Sequence, residues 1–140
     1  MELTAKIIQK YAKYSQPQLK AKAVTIFNKF IRTRDMLLYD TFLCCSCGNQ
    51  KDKSQMNAGH YHSAGHNGAI EFDERNVNGQ CIQCNNYLHG NLIGYTRFML
   101  NKYGQSVIDE LEQKRNLPFK PDRFYFISII VEYQEKIKRL

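Results

Sequence analysis

The sequence predicts an α+β protein in which a small cysteine-stapled unit of strand, loop, strand and helix sits among flanking α-helices. Three observations predict it. Two CxxC pairs, Cys44-x-x-Cys47 and Cys81-x-x-Cys84, bracket a centre rich in glycine and asparagine. Apolar residues recur at helical spacing on either side of that centre. The positive charge lies on the same flanks: residues 1–40 carry eight Lys/Arg against three Asp/Glu, and residues 91–140 nine against six. Residues 41–90 carry three against four. The chain of 140 residues suits a single domain. It divides into basic N-terminal helices (1–40), a cysteine-stapled core (41–91) and C-terminal helices (92–140).

Taken in order, residues 1–14 read as a helix that ends before Ser15-Gln16-Pro17. A stronger helix is predicted over 18–38, with Ala23, Phe27, Phe30 and Leu37 on one face and Lys22 and Lys29 on another. Within the centre, Asn67-Gly68 is a favoured hairpin turn, so the segments beside it are expected to pair as two short strands. If the stretch after Cys81 is helical, Asn85 and His89, four apart, share a face. After Asn91, Tyr95, Phe98 and Met99 form an apolar stripe, and Gly104 is the expected helix stop. Ser106 with Asp109 resembles a capping box for a short helix to Arg115. Residues 117–120 read as a connector, and Pro121-Asp122 suits the start of a final helix over 121–139. The β-branched and aromatic run 124–131 keeps a strand open as the alternative there.

Composition excludes some classes. A hydrophobic fraction of 43% and an aromatic fraction of 12% fit a folded chain rather than a disordered one. No apolar run approaches a membrane span, and the first residues lack a signal peptide's apolar stretch. A cytoplasmic protein without a membrane partner is therefore expected. The formal charge of +7 favours a polyanionic partner such as DNA, although solvated helix faces explain the charge equally well.

The five cysteines are Cys44, Cys45, Cys47, Cys81 and Cys84. An odd count, tight spacing and no secretion signal favour a metal over disulfides. Two thiolates three apart on a tight turn can share one ion, and two such knuckles complete a closed tetrahedral site for structural Zn²⁺. Part of the folding free energy would then come from metal binding. Pairs of buried reduced thiols are the alternative. Cys45 is left over, since the Cys45/Cys47 register is a poorer ligand spacing.

Between the knuckles lie His60 and Asn76, and Asn85 follows the second. Hydrolysing a phosphodiester needs a base for water, a cation to offset the charge on the phosphorane, and a phosphate held in line. Histidine, with an ordinary pKa of about 6.5, is largely neutral at pH 7 and can serve as that base. An asparagine oxygen suits Mg²⁺, and a second asparagine can brace the loop that aims the histidine. Singly, each has a plainer explanation: a hydrogen-bonded surface histidine, or a helix-capping asparagine. The ordered set is what points to a site.

The knuckle Cys44–Gly48 and the stretches AGHYHSAG (58–65), FDERNVNGQCIQCN (72–85) and HGNLIGY (89–95) resemble the phage NinG/Rap recombination nucleases, of the HNH (His-Me finger) superfamily. FNKFIRTRD (27–35) and YGQSVIDELE (103–112) extend the similarity to about residues 21–112. The resemblance implies a zinc-stapled ββα-metal (HNH) finger among flanking α-helices, and a metal-dependent endonuclease. Its substrates would be branched recombination intermediates such as Holliday junctions or D-loops. It also implies His60 as general base, Asn76 as the loop-steadying asparagine, and Asn85 as the ligand of a catalytic Mg²⁺ or Mn²⁺. The zinc ligands would be Cys44, Cys47, Cys81 and Cys84.

One departure stands out. Many HNH enzymes carry Asp or His just before the base as a second metal ligand, where this chain has Gly59. Asn57, His62 and His89 are the candidates to replace it. Lys22, Lys29, Arg32, Arg34, Arg75 and Arg97 are candidates for phosphate contacts, which would make binding fall steeply with salt. A homodimer would match the two-fold symmetry of a branched substrate. The rivals are an HNH nuclease of ordinary duplex DNA and a non-catalytic zinc module that binds nucleic acid.

Overall fold

The structure is a computed structural model and describes residues 2–140. Helix α1 spans Ala5–Lys10, capped by Thr4, whose hydroxyl accepts from the Ile7 amide at 3.2 Å. It is shorter than the helix expected over 1–14, and Met1 lies outside the described residues. Ser15-Gln16-Pro17, expected as a break, is the start of α2 (Gln16–Asp35). The Ser15 hydroxyl accepts from Gln18 N, the Gln18 side chain accepts from Ser15 N, and Pro17 sits in the first turn, where its missing N–H has no helical partner to lose. α2 ends at Asp35 rather than Leu38. Met36 turns extended, and Leu37, expected on the buried face, is 48% exposed.

Leu19, Ala23, Phe27, Phe30 and Ile31 form the buried face of α2. They share one core with Phe126, Ile127, Ile129, Ile130 and Tyr133 of the last helix, Arg123–Lys138. That last element is helical, not a strand: Asp122 caps it by accepting from Tyr125 N at 3.0 Å, and its apolar residues fill the core beside α2. Phe27 meets Tyr133 edge to face at 4.8 Å and Phe72 at 5.3 Å. These contacts bring the two ends of the sequence together.

Two antiparallel pairs of strands occupy the centre. β1 (Thr41–Leu43) pairs with β2 (Gln50–Asp52), a hairpin that local spacing did not reveal and that carries the first knuckle at its turn. β3 (Met56–His60) pairs with β4 (Val77–Cys81), in the register Met56↔Cys81 to His60↔Val77. The hairpin expected about Asn67-Gly68 is therefore corrected. Pairing stops at His60 and Val77, and residues 61–76 form a broad loop with a 3₁₀ turn at Gly68–Ile70. Asn67 lies at φ −132°, ψ 59°, outside the left-handed geometry of a tight hairpin turn. Burial of Ile70 draws the loop inward instead.

Alternation of side chains places the β3–β4 pair between two helices. Ala58 and Val77 join the core of α2 and the last helix. On the other side, Tyr95 of α3 (Leu92–Lys102) donates from its hydroxyl to the Gly59 carbonyl at 2.7 Å. The second knuckle runs into a single widened, π-helical turn at Gln83–Tyr87, where the sequence suggested an ordinary helix. Gly104, at φ 89°, ends α3 as expected and leads into α4 (Gln105–Arg115). The Ser106/Asp109 capping box does not form, because α4 starts at Gln105 and Ser106 already lies inside its first turn. Gln105 donates to Asp109 there, at 2.9 Å. The final helix, Arg123–Lys138, is α5. Among the described residues no helix is long and apolar enough to cross a membrane.

Candidate functional site

The sulfur atoms of Cys44, Cys47, Cys81 and Cys84 all lie within 4.8 Å of one another, and those of Cys47 and Cys81 are 4.0 Å apart. Four thiolates around a tetrahedral zinc at about 2.3 Å would sit about 3.8 Å apart. The set could therefore hold a metal such as zinc. Backbone amides already point at these sulfurs. Ser46, Cys47 and Cys81 donate to Cys44 Sγ at 3.3–3.5 Å, Cys84 N donates to Cys81 Sγ at 3.4 Å, and Asn91 Nδ2 donates to Cys84 Sγ at 3.4 Å. Burial works to raise the Cys44 thiol, but those amides bring it down to about 7, which favours a thiolate ligand. Cys45 turns away into an apolar cluster with Ile70, Tyr95, Met99 and Leu111, where burial pushes its thiol far up. It is a packed core thiol.

An open cleft of about 360 Å³ lies beside this centre, lined by Ala58, His60, Tyr61, Ser63, Ala64, Asn85, His89, Gly90 and Leu92. His60 ends β3 and is partly buried, with Nε2 3.0 Å from the Glu71 carbonyl oxygen. A carbonyl can only accept, so Nε2 carries the proton and Nδ1 keeps its lone pair. Burial lowers the His60 pKa below its ordinary value, and the bond to Glu71 opposes that shift. Asn76 is fully buried under the loop. Its oxygen accepts from His62 N at 2.9 Å, and its nitrogen donates to the carbonyls of His62 at 3.1 Å and Ile70 at 3.3 Å. One side chain thus closes both ends of the loop that follows His60.

The structure separates the residues expected to stand in for the side chain that Gly59 lacks. A side chain at Gly59 would meet Gln80 Oε1 at 2.0 Å, so this position faces the buried Gln80 rather than the cleft. His62 is engaged elsewhere, accepting from Arg115 at 2.9 Å with Glu112 at 3.7 Å. Asn57 lies on the strand face opposite to His60 and does not line the cleft. His89 lines it together with Asn85, although not by helical spacing. The widened turn ends before His89, which has φ 51°.

The expected phosphate contacts divide in the same way. Arg34 is taken up inside the fold: it pairs with Asp35 at 2.8 Å and donates to the carbonyls of Glu74 and Val77 at 3.0 and 2.9 Å. Arg75 pairs with Asp73 at 3.0 Å and Glu110 at 2.6 Å. In both, nearby carboxylates and carbonyls satisfy donors, which leaves fewer of them for a phosphate. Lys22, Lys29, Arg32 and Arg97 make no ion pair among the described residues, and Lys22 rests over the Tyr14 ring at 4.4 Å. Spacing alone missed Glu71, whose backbone carbonyl orients His60, and Asp35, which accepts from Gly79 N at 2.8 Å. Every residue has a carbonyl, so the first left no signal in the sequence.

The family model described as Bacteriophage Lambda NinG protein matches residues 2–140. The chain is 37% identical over 116 residues to protein ninG of Escherichia phage 933W, covering 81% of this chain and 53% of that protein. It is 36% identical to protein ninG of Escherichia phage lambda, covering 81% and 52%, and 36% identical to that of Salmonella phage P22, covering 81% and 53%. The chain spans about half the length of these relatives. No solved structure matches it. The chain belongs to the NinG family.

Proposed function

We propose that this chain is a metal-dependent DNA endonuclease of the HNH type that cuts branched recombination intermediates. The observation that carries the reading is the His60 ring, held by Glu71 so that Nδ1 is unprotonated, beside a cleft shared with Asn85. The antiparallel β3–β4 pair followed by a helical turn bearing Asn85 supports a ββα-metal finger, with the cysteine cluster as its zinc staple. His60 takes a proton from water through Nδ1, the resulting hydroxide attacks phosphorus, and the bond to the 3′ oxygen breaks, that oxygen leaving as a 3′-hydroxyl once it takes a proton from solvent. Asn85 and His89 are the side chains that would hold Mg²⁺ or Mn²⁺, whose charge offsets that of the phosphorane and the leaving oxygen. Lys22, Lys29, Arg32 and Arg97 are the cations free for phosphates. The NinG/Rap resemblance supports the branched substrate.

One observation favours a second reading. The cleft lining offers an amide oxygen and imidazoles but no carboxylate, a sparse set for Mg²⁺. That fits a zinc module that binds DNA without cutting it. The test incubates wild type and a His60→Ala variant with a labelled four-way junction or matched linear duplex, with Mg²⁺ or with EDTA. Metal-dependent cutting of the junction by wild type alone is expected. Equal cutting of linear duplex would remove the branched-substrate assignment. Retention of the junction without cutting by either protein would select the binding module.

A further inference from the structure

Four large apolar side chains lie exposed within seven residues at the cleft: Tyr87 at 70%, Leu88 at 48%, Leu92 at 51% and Ile93 at 81%. Leu92 itself lines the cleft with His60 and Asn85, and His89 and Gly90 lie between the two halves of the patch. The backbone that carries them is tied down. Asn91 N donates to Leu88 O at 2.8 Å, which closes a turn over residues 88–91. Both central residues, His89 and Gly90, have positive φ (51° and 91°), and Asn91 follows at 41°. Gly90 N donates to Cys84 O at 2.8 Å, while Gly90 O accepts from Gln80 at 2.7 Å and Ser46 at 3.2 Å. Histidine and asparagine are among the non-glycine residues that enter this region most readily, and the hydrogen bonds of Gly90 and Asn91 hold the turn in it. The fold thus fixes a row of apolar side chains in solvent, beside the cleft and on the shoulder of the cysteine cluster.

The surroundings select the partner's chemistry. From Arg75 to Ile108 the chain has no Asp or Glu, and no carboxylate lines the cleft beside these side chains. Arg97 stands exposed on the same helix as Leu92 and Ile93. Phosphate contacts are common to linear and branched DNA. An apolar side chain, however, finds little to cover in an intact duplex, where each base face is already stacked. At a branch point the stack is interrupted, and apolar or aromatic side chains can pack on the faces left open.

We propose that Tyr87, Leu88, Leu92 and Ile93 form a wedge that enters the branch point and packs on its unstacked bases. This inference rests on the nuclease reading and deepens it, by naming the surface that distinguishes branched from linear DNA.

Affinities of a Tyr87→Ser/Ile93→Ser double variant would be measured for a four-way junction and a linear duplex of the same sequence. A His60→Ala background prevents cutting, and zinc content and melting temperature check the fold. Both replaced side chains are mostly exposed, so the variant should fold. We expect a loss of about fivefold or more on the junction, with linear-duplex affinity and its salt dependence kept, since stacking of one aromatic ring on a base carries roughly a five- to hundredfold effect. The fluorescence of 2-aminopurine at the branch point should rise with the parent protein and stay flat with the variant. An unchanged junction-to-duplex ratio would overturn the wedge while leaving a DNA-binding protein. Sedimentation of a parent dimer that the double substitution turns into monomer would also overturn it, by giving the patch to a second copy. Absence of binding to either DNA would overturn the underlying nuclease reading as well.

Discussion

At the scale of single residues, His60 lines the cleft and Asn76 braces the loop that follows it. His60 is fixed in one tautomer by an acceptor that cannot donate, and burial keeps it neutral below its ordinary pKa. In the proposed reaction the cutting rate should rise with pH at the acid end and level off with a midpoint below about 6.5. A midpoint above that value in a rate–pH profile would remove His60 as the base. Stability carries the same sign. The unfolded chain takes up its proton near pH 6.5 and the folded chain only lower, so this contribution is lost as pH falls from 6.5 through the folded value. Asn76 uses both its oxygen and its nitrogen on backbone groups of the loop. Asn76→Ala strands buried donors and acceptors and should cost about 2 kcal/mol or more. Urea unfolding should show a lower midpoint at an unchanged slope.

At the scale of elements, the polar join between α2 and β4 is the Arg34–Asp35 pair. Arg34 grips Asp35, and Asp35 in turn holds the Gly79 amide, while other Arg34 nitrogens hold the carbonyls before and within β4. Side chains of both residues are only 19% exposed, so removing one leaves a charge poorly solvated. Arg34→Ala should cost roughly 3 kcal/mol. Arg34→Lys should recover little of it, because an ammonium cannot span the same acceptors. Calorimetry of both variants checks this, and a lysine variant as stable as wild type would contradict it. The adjacent Arg34-Asp35 pair was visible in the sequence. Its commitment to β4, more than forty residues on, was not. A free phosphate-binding arginine and a structural one look alike until their acceptors are known.

At the scale of the molecule, two kinds of core hold the chain. α2 and α5 share an apolar core of their own, with Phe27, Phe30 and Tyr133 at its centre. The knuckle region rests on a much smaller cluster of Phe42, Met56 and three of the cysteines, too little apolar surface to hold the β1–β2 hairpin unaided. Metal binding would supply the difference. Chelation at neutral pH should release one ion per chain by native mass spectrometry. Hydrogen exchange should then lose protection first over 41–60 and 77–91, with the α2–α5 pair retained. Uniform loss along the chain would show that the cluster is not a local staple.

Three features were legible in local sequence: the helical character of both flanks, though not where each helix begins and ends, the stop at Gly104, and the choice of Cys44 over Cys45 in the first CxxC pair. Each depends on spacing within a few residues, where the geometry of one turn decides which side chains face together. The expected positions of His60, Asn76 and Asn85 came from ordered motifs, and two of them line one cleft while the third braces its loop. Only the tertiary structure decided which strand pairs with β3, that His89 rather than His62 or Asn57 shares the cleft, and that Arg34 and Arg75 are engaged by carboxylates and carbonyls. These outcomes depend on contacts between distant segments and on backbone carbonyls and amides. Such groups are the same in every residue, so they become specific only once the chain has brought them together.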